Sequence, residues 1–209
     1  MEIYIIRHGE TLWNESKRLQ GKHDTVLNES GRALAKETGE SISDIDFDLF
    51  FSSPLQRAYE TANLLKGNRD IEIIKDDRLM EISFGHYEGS LFPDLVANDD
   101  LTFKYFFSKP ELYVAPSDGE SFEELINRAG EFMTEMVEPL EKQGIKRIMI
   151  VAHGTLNKAI MSYIKKHPTS MFWSGGLQPN CNIIIVDYSD GKYSIISEAK
   201  SFLDKNYSV

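Results

Sequence analysis

Ile3-Tyr4-Ile5-Ile6-Arg7-His8-Gly9-Glu10-Thr11-Leu12-Trp13-Asn14 is the stretch on which the reading of this chain turns. Four apolar residues between polar ones have the length of a buried parallel strand, and Gly9 breaks the run just after a cation and an imidazole. In an open α/β sheet the edge beyond the carboxyl ends of the strands is where ligands bind. An Arg-His pair alone reads as surface loop. The same arrangement returns, however, at Ile148 to Thr155, where the most hydrophobic run of the chain ends in His153-Gly154-Thr155. Two histidines at equivalent strand ends make a shared site the better reading.

Working outward, 209 residues that are 41% hydrophobic, with scattered Gly and Pro, suffice for one domain with a full core, so 1–209 is read as a single unit. Cys181 is the only cysteine, which rules out an internal disulfide and fits a reducing compartment. It precedes the apolar run Ile183 to Val186 and reads as a buried, unreactive thiol. The opening residues carry neither a basic region nor a long apolar run, so the expectation is a soluble, cytoplasmic protein with no signal peptide or membrane span. A net charge of -10 argues against nucleic-acid or anionic-membrane partners. An anionic ligand would have to be attracted locally.

Strands and helices alternate along the chain, which is the pattern of an α/β fold. Asn28 is the expected cap of a helix whose apolar face uses Leu34, Thr38 and Ile42. Leu49 to Phe51 read as a second strand, after which Ser53 caps and Pro54 opens a helix lined by Leu55, Ala58, Ala62 and Leu65. Arg57 then falls in that helix's first turn. A cation there is disfavoured by the helix dipole, by about 0.3–1 kcal/mol, unless an anion sits opposite it. Its alternative is a solvated Arg reaching sideways to Glu60.

Ile71 to Ile74 read as another strand. Glu81 lies between apolar neighbours, as a half-buried acid with a raised pKa suited to proton donation would, with Glu88 as the second choice. His86 reads as a surface or wall residue. From Ser90 to Asp118 there is little periodicity but many aromatics, among them Phe92, Phe103, Phe106, Phe107 and Tyr113. A connection of that length suggests a cap over the site, and packing against the core is the alternative. Ser121 and Glu124 form a capping box for a strongly amphipathic helix that Pro139 kinks or shortens. Strands Ile183 to Tyr188 and Tyr193 to Ile196, joined at Asp190-Gly191, close the fold as a hairpin.

These segments resemble the histidine phosphatase superfamily, which includes the cofactor-dependent phosphoglycerate mutases. The matching stretches are R-H-G-E-T-x-W-N at Arg7 to Asn14, S-S-P-L-x-R-A-x-x-T-A at Ser52 to Ala62, L-M-E-I-S-F-G-x-Y-E-G at Leu79 to Gly89, G-E-S at Gly119 to Ser121, and V-A-H-G at Val151 to Gly154. The resemblance implies a three-layer α/β/α fold with a mostly parallel central sheet. It implies His8 as a nucleophile that becomes phosphohistidine. Arg7, Arg57 and His153 would hold the phosphoryl oxygens, Asn14 would add a hydrogen bond, and Glu81 would donate the proton. Gln20, Gly21 and Gly154 join the substrate-binding set.

Phosphoryl transfer asks mainly for positioning and charge stabilisation. Two guanidiniums and an imidazolium would supply that charge, so no metal or cofactor is expected. For attack, His8 needs one bare nitrogen and a backbone carbonyl near Gly9 or Gly154 to hold the other. Mutases in this group carry a longer insertion and an Arg-containing Glu motif, whereas Ile82-Ser83-Phe84 follow Glu81 here. Hydrolysis of a small phosphorylated metabolite is therefore the expected activity. A phosphoglycerate mutase, or a non-catalytic module that binds a phosphorylated ligand, are the alternatives. Many relatives end in a His-Leu pair where this chain has Phe202-Leu203.

Overall fold

The computed structural model describes residues 1–201, so Phe202-Leu203 lie outside the described residues. Six strands form one sheet: β1 (Glu2–Arg7), β2 (Leu49–Ser52), β3 (Ile73–Lys75), β4 (Arg147–Ala152), β5 (Ile183–Ser189) and β6 (Lys192–Lys200), in the order β3-β2-β4-β1-β5-β6. The first four pair in parallel, and β5 and β6 add an antiparallel hairpin on the β1 side. That hairpin turns at Asp190 and Gly191, both at positive φ, as a tight two-residue turn requires.

The helices are α1 (Leu12–Glu15), α2 (Glu29–Ser41), α3 (Gln56–Lys66), α4 (Phe92–Ala97), α5 (Phe122–Phe132), α6 (Glu138–Lys142) and α7 (Gly154–Lys165). Side chains alternate across each strand, and this splits the core in two. Ile3, Ile5, Ile148 and Ile150 pack with α5 and α7, while Tyr4, Ile6, Met149 and Val151 pack with α2 and α3. The result is the expected three-layer arrangement.

Two helix boundaries differ from expectation. α3 starts at Gln56 with Leu55 at the cap position, because Asp24 Oδ1 accepts the Gln56 N–H at 2.7 Å and replaces a local cap. Pro139, which has no N–H to give, sits in the first turn of α6, and a single π-helical turn over Met133–Val137 absorbs the mismatch with α5. On α2 the buried positions are Gly31, Ala35, Thr38, Gly39 and, at the carboxyl cap, Ile42, with Leu34 only partly covered.

The aromatic connection folds inward. Phe103, Phe106 and Tyr113 are buried, and Phe106 packs against Phe84, Phe122 and Trp173 from three other parts of the chain. These rings belong to the core.

Candidate active site

Because β1, β2 and β4 run parallel, their carboxyl ends reach one edge of the sheet together. The ladder continues one residue past each end, with His8 N–H on Ala152 O at 2.9 Å and Ser53 N–H on Val151 O at 3.0 Å. His8 and His153 are thereby fixed face to edge, with ring centroids 5.1 Å apart. Gly9 must be glycine here, since a Cβ would lie 2.6 Å from the Gly31 carbonyl oxygen of α2.

His8 is buried, and its Nδ1–H donates to its neighbour's carbonyl, Gly9 O, at 2.6 Å. That contact assigns the tautomer and leaves Nε2 bare. Burial, then the charges of Arg57 and Arg7, push its pKa well below the ordinary 6.5, so the ring is neutral at physiological pH. His153 is fully buried and shifted the same way by burial, Arg57, His8 and Arg7. The imidazolium expected at His153 is thus replaced by a neutral ring, because the ring is buried and two guanidiniums lie near it. Leu55 N–H donates to Ser53 Oγ at 3.3 Å, which turns the hydroxyl toward His153 Nε2 at 2.8 Å. The Ser53 hydroxyl can donate to that nitrogen, and in the tautomer where it does His153 Nδ1 carries the proton; Nδ1 has no partner among the described residues.

Arg57 does not reach Glu60, which is held by Arg32 instead. Its guanidinium, 1% exposed, donates to Gly21 O and His23 O at 2.7 Å each and leaves Nε unpartnered. Burial lowers its pKa to about 10, opposed by Glu81, Asp24 and Glu88. Arg7 donates from Nη1 to Gln178 O at 2.8 Å, and its Nε is also buried without a partner. In that tautomer Arg7 Nε, Arg57 Nε and His153 Nδ1 are three buried, unpartnered donors at the site of one neutral nucleophile. Groups of that kind are costly to leave unpaired and are suited to the oxygens of a phosphoryl group.

Glu81 approaches from another segment. Its carboxylate accepts the N–H groups of Thr155 at 3.1 Å and Leu156 at 2.9 Å, capping α7 where no local side chain does so, and also that of Ile82 at 3.0 Å. Glu88 has a different task from the acid considered in the sequence. It accepts Lys22 N–H and Phe84 N–H and lies under Gly21, whose φ of +52 sets the turn that presents its carbonyl to Arg57. Gln20 accepts from Thr11 and Thr25 and braces the same turn. Asn14 closes the cap of α1 with Oδ1, which leaves its amide nitrogen available. Gly154 lets α7 begin against Arg7, since a Cβ would meet Arg7 Nε at 3.4 Å and Leu177 at 2.8 Å. His86 is exposed and pairs with Asp118 at 2.8 Å.

Several supporting residues escaped the sequence reading. Thr61 accepts Gly9 N–H and donates to Arg57 O, so it ties β1 to α3. From the loop entering β5, Gln178 O accepts Arg7 Nη1, Asn180 Nδ2 donates to His8 O and Cys181 N–H donates to Arg7 O. The polar run Gln178 to Asn182 before an antiparallel strand was the available signal, since such a strand begins at the edge where its neighbours end. Cys181 itself is buried and its thiol is pushed up to about 12 by that burial, in keeping with an unreactive role.

Stability should fall on acidification through these rings. The unfolded histidines take up protons below about 6.5 while the buried ones do not, so the unfolded state binds more protons and stability rises with pH in that window. Each ring contributes a slope of about 1.4 kcal/mol per pH unit. Urea unfolding from pH 6.5 downward should show His153→Gln with a slope reduced by about that amount. An unchanged slope would mean that the ring charges freely in the folded protein.

With the site in view, comparisons with known proteins agree. Residues 3–199 match the histidine phosphatase superfamily (branch 1). Phosphoserine phosphatase 1 of Hydrogenobacter thermophilus is 30% identical over 176 residues, 84% of this chain and 82% of that protein. The probable phosphoglycerate mutase GpmB of Erwinia tasmaniensis is 28% identical over 193 residues, 92% of this chain and 87% of its own. The structure of Bacillus stearothermophilus YhfR superposes with a TM-score of 0.89 at 32% identity, covering 97% of this chain and 99% of that one. The chain belongs to the histidine phosphatase superfamily and is a phosphatase of that group. No helix among the described residues is long and apolar enough to cross a membrane.

Proposed function

We propose that the chain hydrolyses a small phosphomonoester through a phosphohistidine at His8, with no metal. The bare Nε2 of His8 attacks phosphorus as the bond to the leaving alkoxide breaks, and the Glu81 carboxyl gives its proton to that oxygen. Water then attacks phosphorus, passing a proton to the Glu81 carboxylate as the N–P bond breaks and inorganic phosphate leaves. Arg7, Arg57 and His153 meet the charge on the non-bridging oxygens throughout, with Asn14 and the Gly154 N–H as further donors. The observation that carries this reading is the set of three unpartnered buried donors around a histidine already fixed in its nucleophilic tautomer.

Rapid quench after mixing with p-nitrophenyl phosphate should trap an acid-labile, base-stable phosphoenzyme. Glu81→Gln should slow phenyl phosphate, whose leaving group is basic, by roughly a hundred- to ten-thousand-fold, and p-nitrophenyl phosphate far less. Equal losses on both would remove Glu81 from proton transfer. Incubation with 3-phosphoglycerate and bisphosphoglycerate should release inorganic phosphate alone, and rapid interconversion of the monophosphoglycerates would replace this reading with a mutase. Absence of any turnover by the wild-type protein would leave a phospholigand-binding module.

A further inference from the structure

The G-E-S segment at Gly119 to Ser121 has no part in the chemistry described above, yet Glu120 connects directly to it. Glu120 accepts Arg128 Nε at 2.8 Å on one oxygen and Nη2 at 2.7 Å on the other, a two-pronged pair that orients the guanidinium plane. Ser83 N–H also donates to Glu120, and Ser83 O accepts Glu120 N–H at 2.9 Å. The remaining N–H groups of Arg128, on α5, go to three backbone carbonyls at and just before Glu81: Arg78 O at 2.7 Å, Met80 O at 2.9 Å and Glu81 O at 3.4 Å. All five donors of the guanidinium are used.

Those carbonyls need this arrangement. After the short 3-10 turn at Asp77–Leu79 the chain runs without helix or strand until Gly85, so no ladder satisfies or fixes it. Glu81 is held at both ends as a result, its carbonyl by Arg128 on α5 and its carboxylate by the first N–H groups of α7. We propose that Arg128, oriented by Glu120, is a positioning residue that acts through Glu81, fixing the height at which the carboxyl group meets the leaving-group oxygen. Lysine has three donors on a single nitrogen and no fixed plane, so it cannot hold the carboxylate and all three carbonyls together.

The inference rests on the proton-transfer role proposed for Glu81, and the test separates the two. Arg128→Gln should lower kcat on phenyl phosphate by roughly thirty- to a hundredfold, no more than the loss of the general acid itself would cost, and on p-nitrophenyl phosphate by less than about threefold. KM for both should stay within about twofold, since the phosphoryl contacts are untouched. Combined with Glu81→Gln, it should cost nothing further on phenyl phosphate, because a residue that works through another has no effect once that one is gone. Arg128→Lys should fall between. Should Arg128→Gln melt too low to assay, Arg128→Lys and Glu120→Gln make the same comparison. Equal losses on both esters, or losses that multiply in the double variant, overturn the proposal and leave Arg128 as a structural clamp. If Glu81→Gln itself fails to discriminate between the esters, it is the acid assignment that falls.

Discussion

His8→Ala is expected to cut turnover of p-nitrophenyl phosphate by at least about a thousandfold and to abolish the trapped phosphoenzyme, while phosphate binding survives. Removing a covalent nucleophile leaves only the catalysis its surroundings can give to direct attack by water, and knockouts of this kind cost on the order of a millionfold elsewhere. The donors proposed to bind phosphate are not on His8. Arg7 Nε, Arg57 Nε and His153 Nδ1 are held by Gln178, by the Gly21 to His23 turn and by Ser53. Truncation at position 8 disturbs none of those bonds. A thermal shift with inorganic phosphate should therefore persist in the inactive variant, by about 2.7 kcal/mol of added stability at a hundred times the dissociation constant. Substantial activity in His8→Ala would end the phosphohistidine mechanism, and loss of the phosphate shift would place the anion elsewhere.

The parts of this site that the sequence revealed are those marked by local punctuation. A strand that ends in a polar residue and glycine announces a sheet edge, so Arg7, His8 and His153 could be read from two short runs. Arg57 stood out because a cation in a helix's first turn is a misfit. Glu81 was legible as an acid among apolar neighbours, which suggested proton donation before the resemblance implied the same role. The supporting bonds left no such trace. Gln178 lies 171 residues from the Arg7 it holds and Asn180 lies 172 from His8, distances over which no periodicity carries information. The packing of the aromatics between Phe92 and Tyr113 was hidden for a related reason. Ring partners of Phe103, Phe106 and Tyr113, among them Phe84, Phe122 and Trp173, are on other segments, so a nonperiodic run gave no sign of which of its rings enter the core.

Arg57→Ala should have the second large effect, on activity and stability together, and a comparison with Arg57→Lys should separate charge from geometry. The alanine variant loses one of the donors facing the phosphoryl oxygens, which costs on the order of a hundred- to a thousandfold in kcat. It also strands the carbonyls of Gly21 and His23, at about 1–3 kcal/mol for each that stays buried. Opposing this is relief of the charge's own burial, which already pulls Arg57 down to about 10. The carbonyl loss should win, because the Gln56 N–H on Asp24 then remains as the main tie between the start of α3 and the turn that closes the site, and the chemical midpoint should drop. Charge and hydrogen bonding then part in the pH profile. Arg57 is the larger of the two cationic influences that hold His8 low, so its removal lets the His8 pKa rise toward 6.5. The acid limb of kcat/KM, which follows the free enzyme, should move to higher pH in Arg57→Ala. In Arg57→Lys the charge remains, so the limb should stay near its wild-type position even though a lysine cannot span both carbonyls and the protein is still destabilised. A limb that does not move in either variant would mean that burial alone keeps His8 neutral.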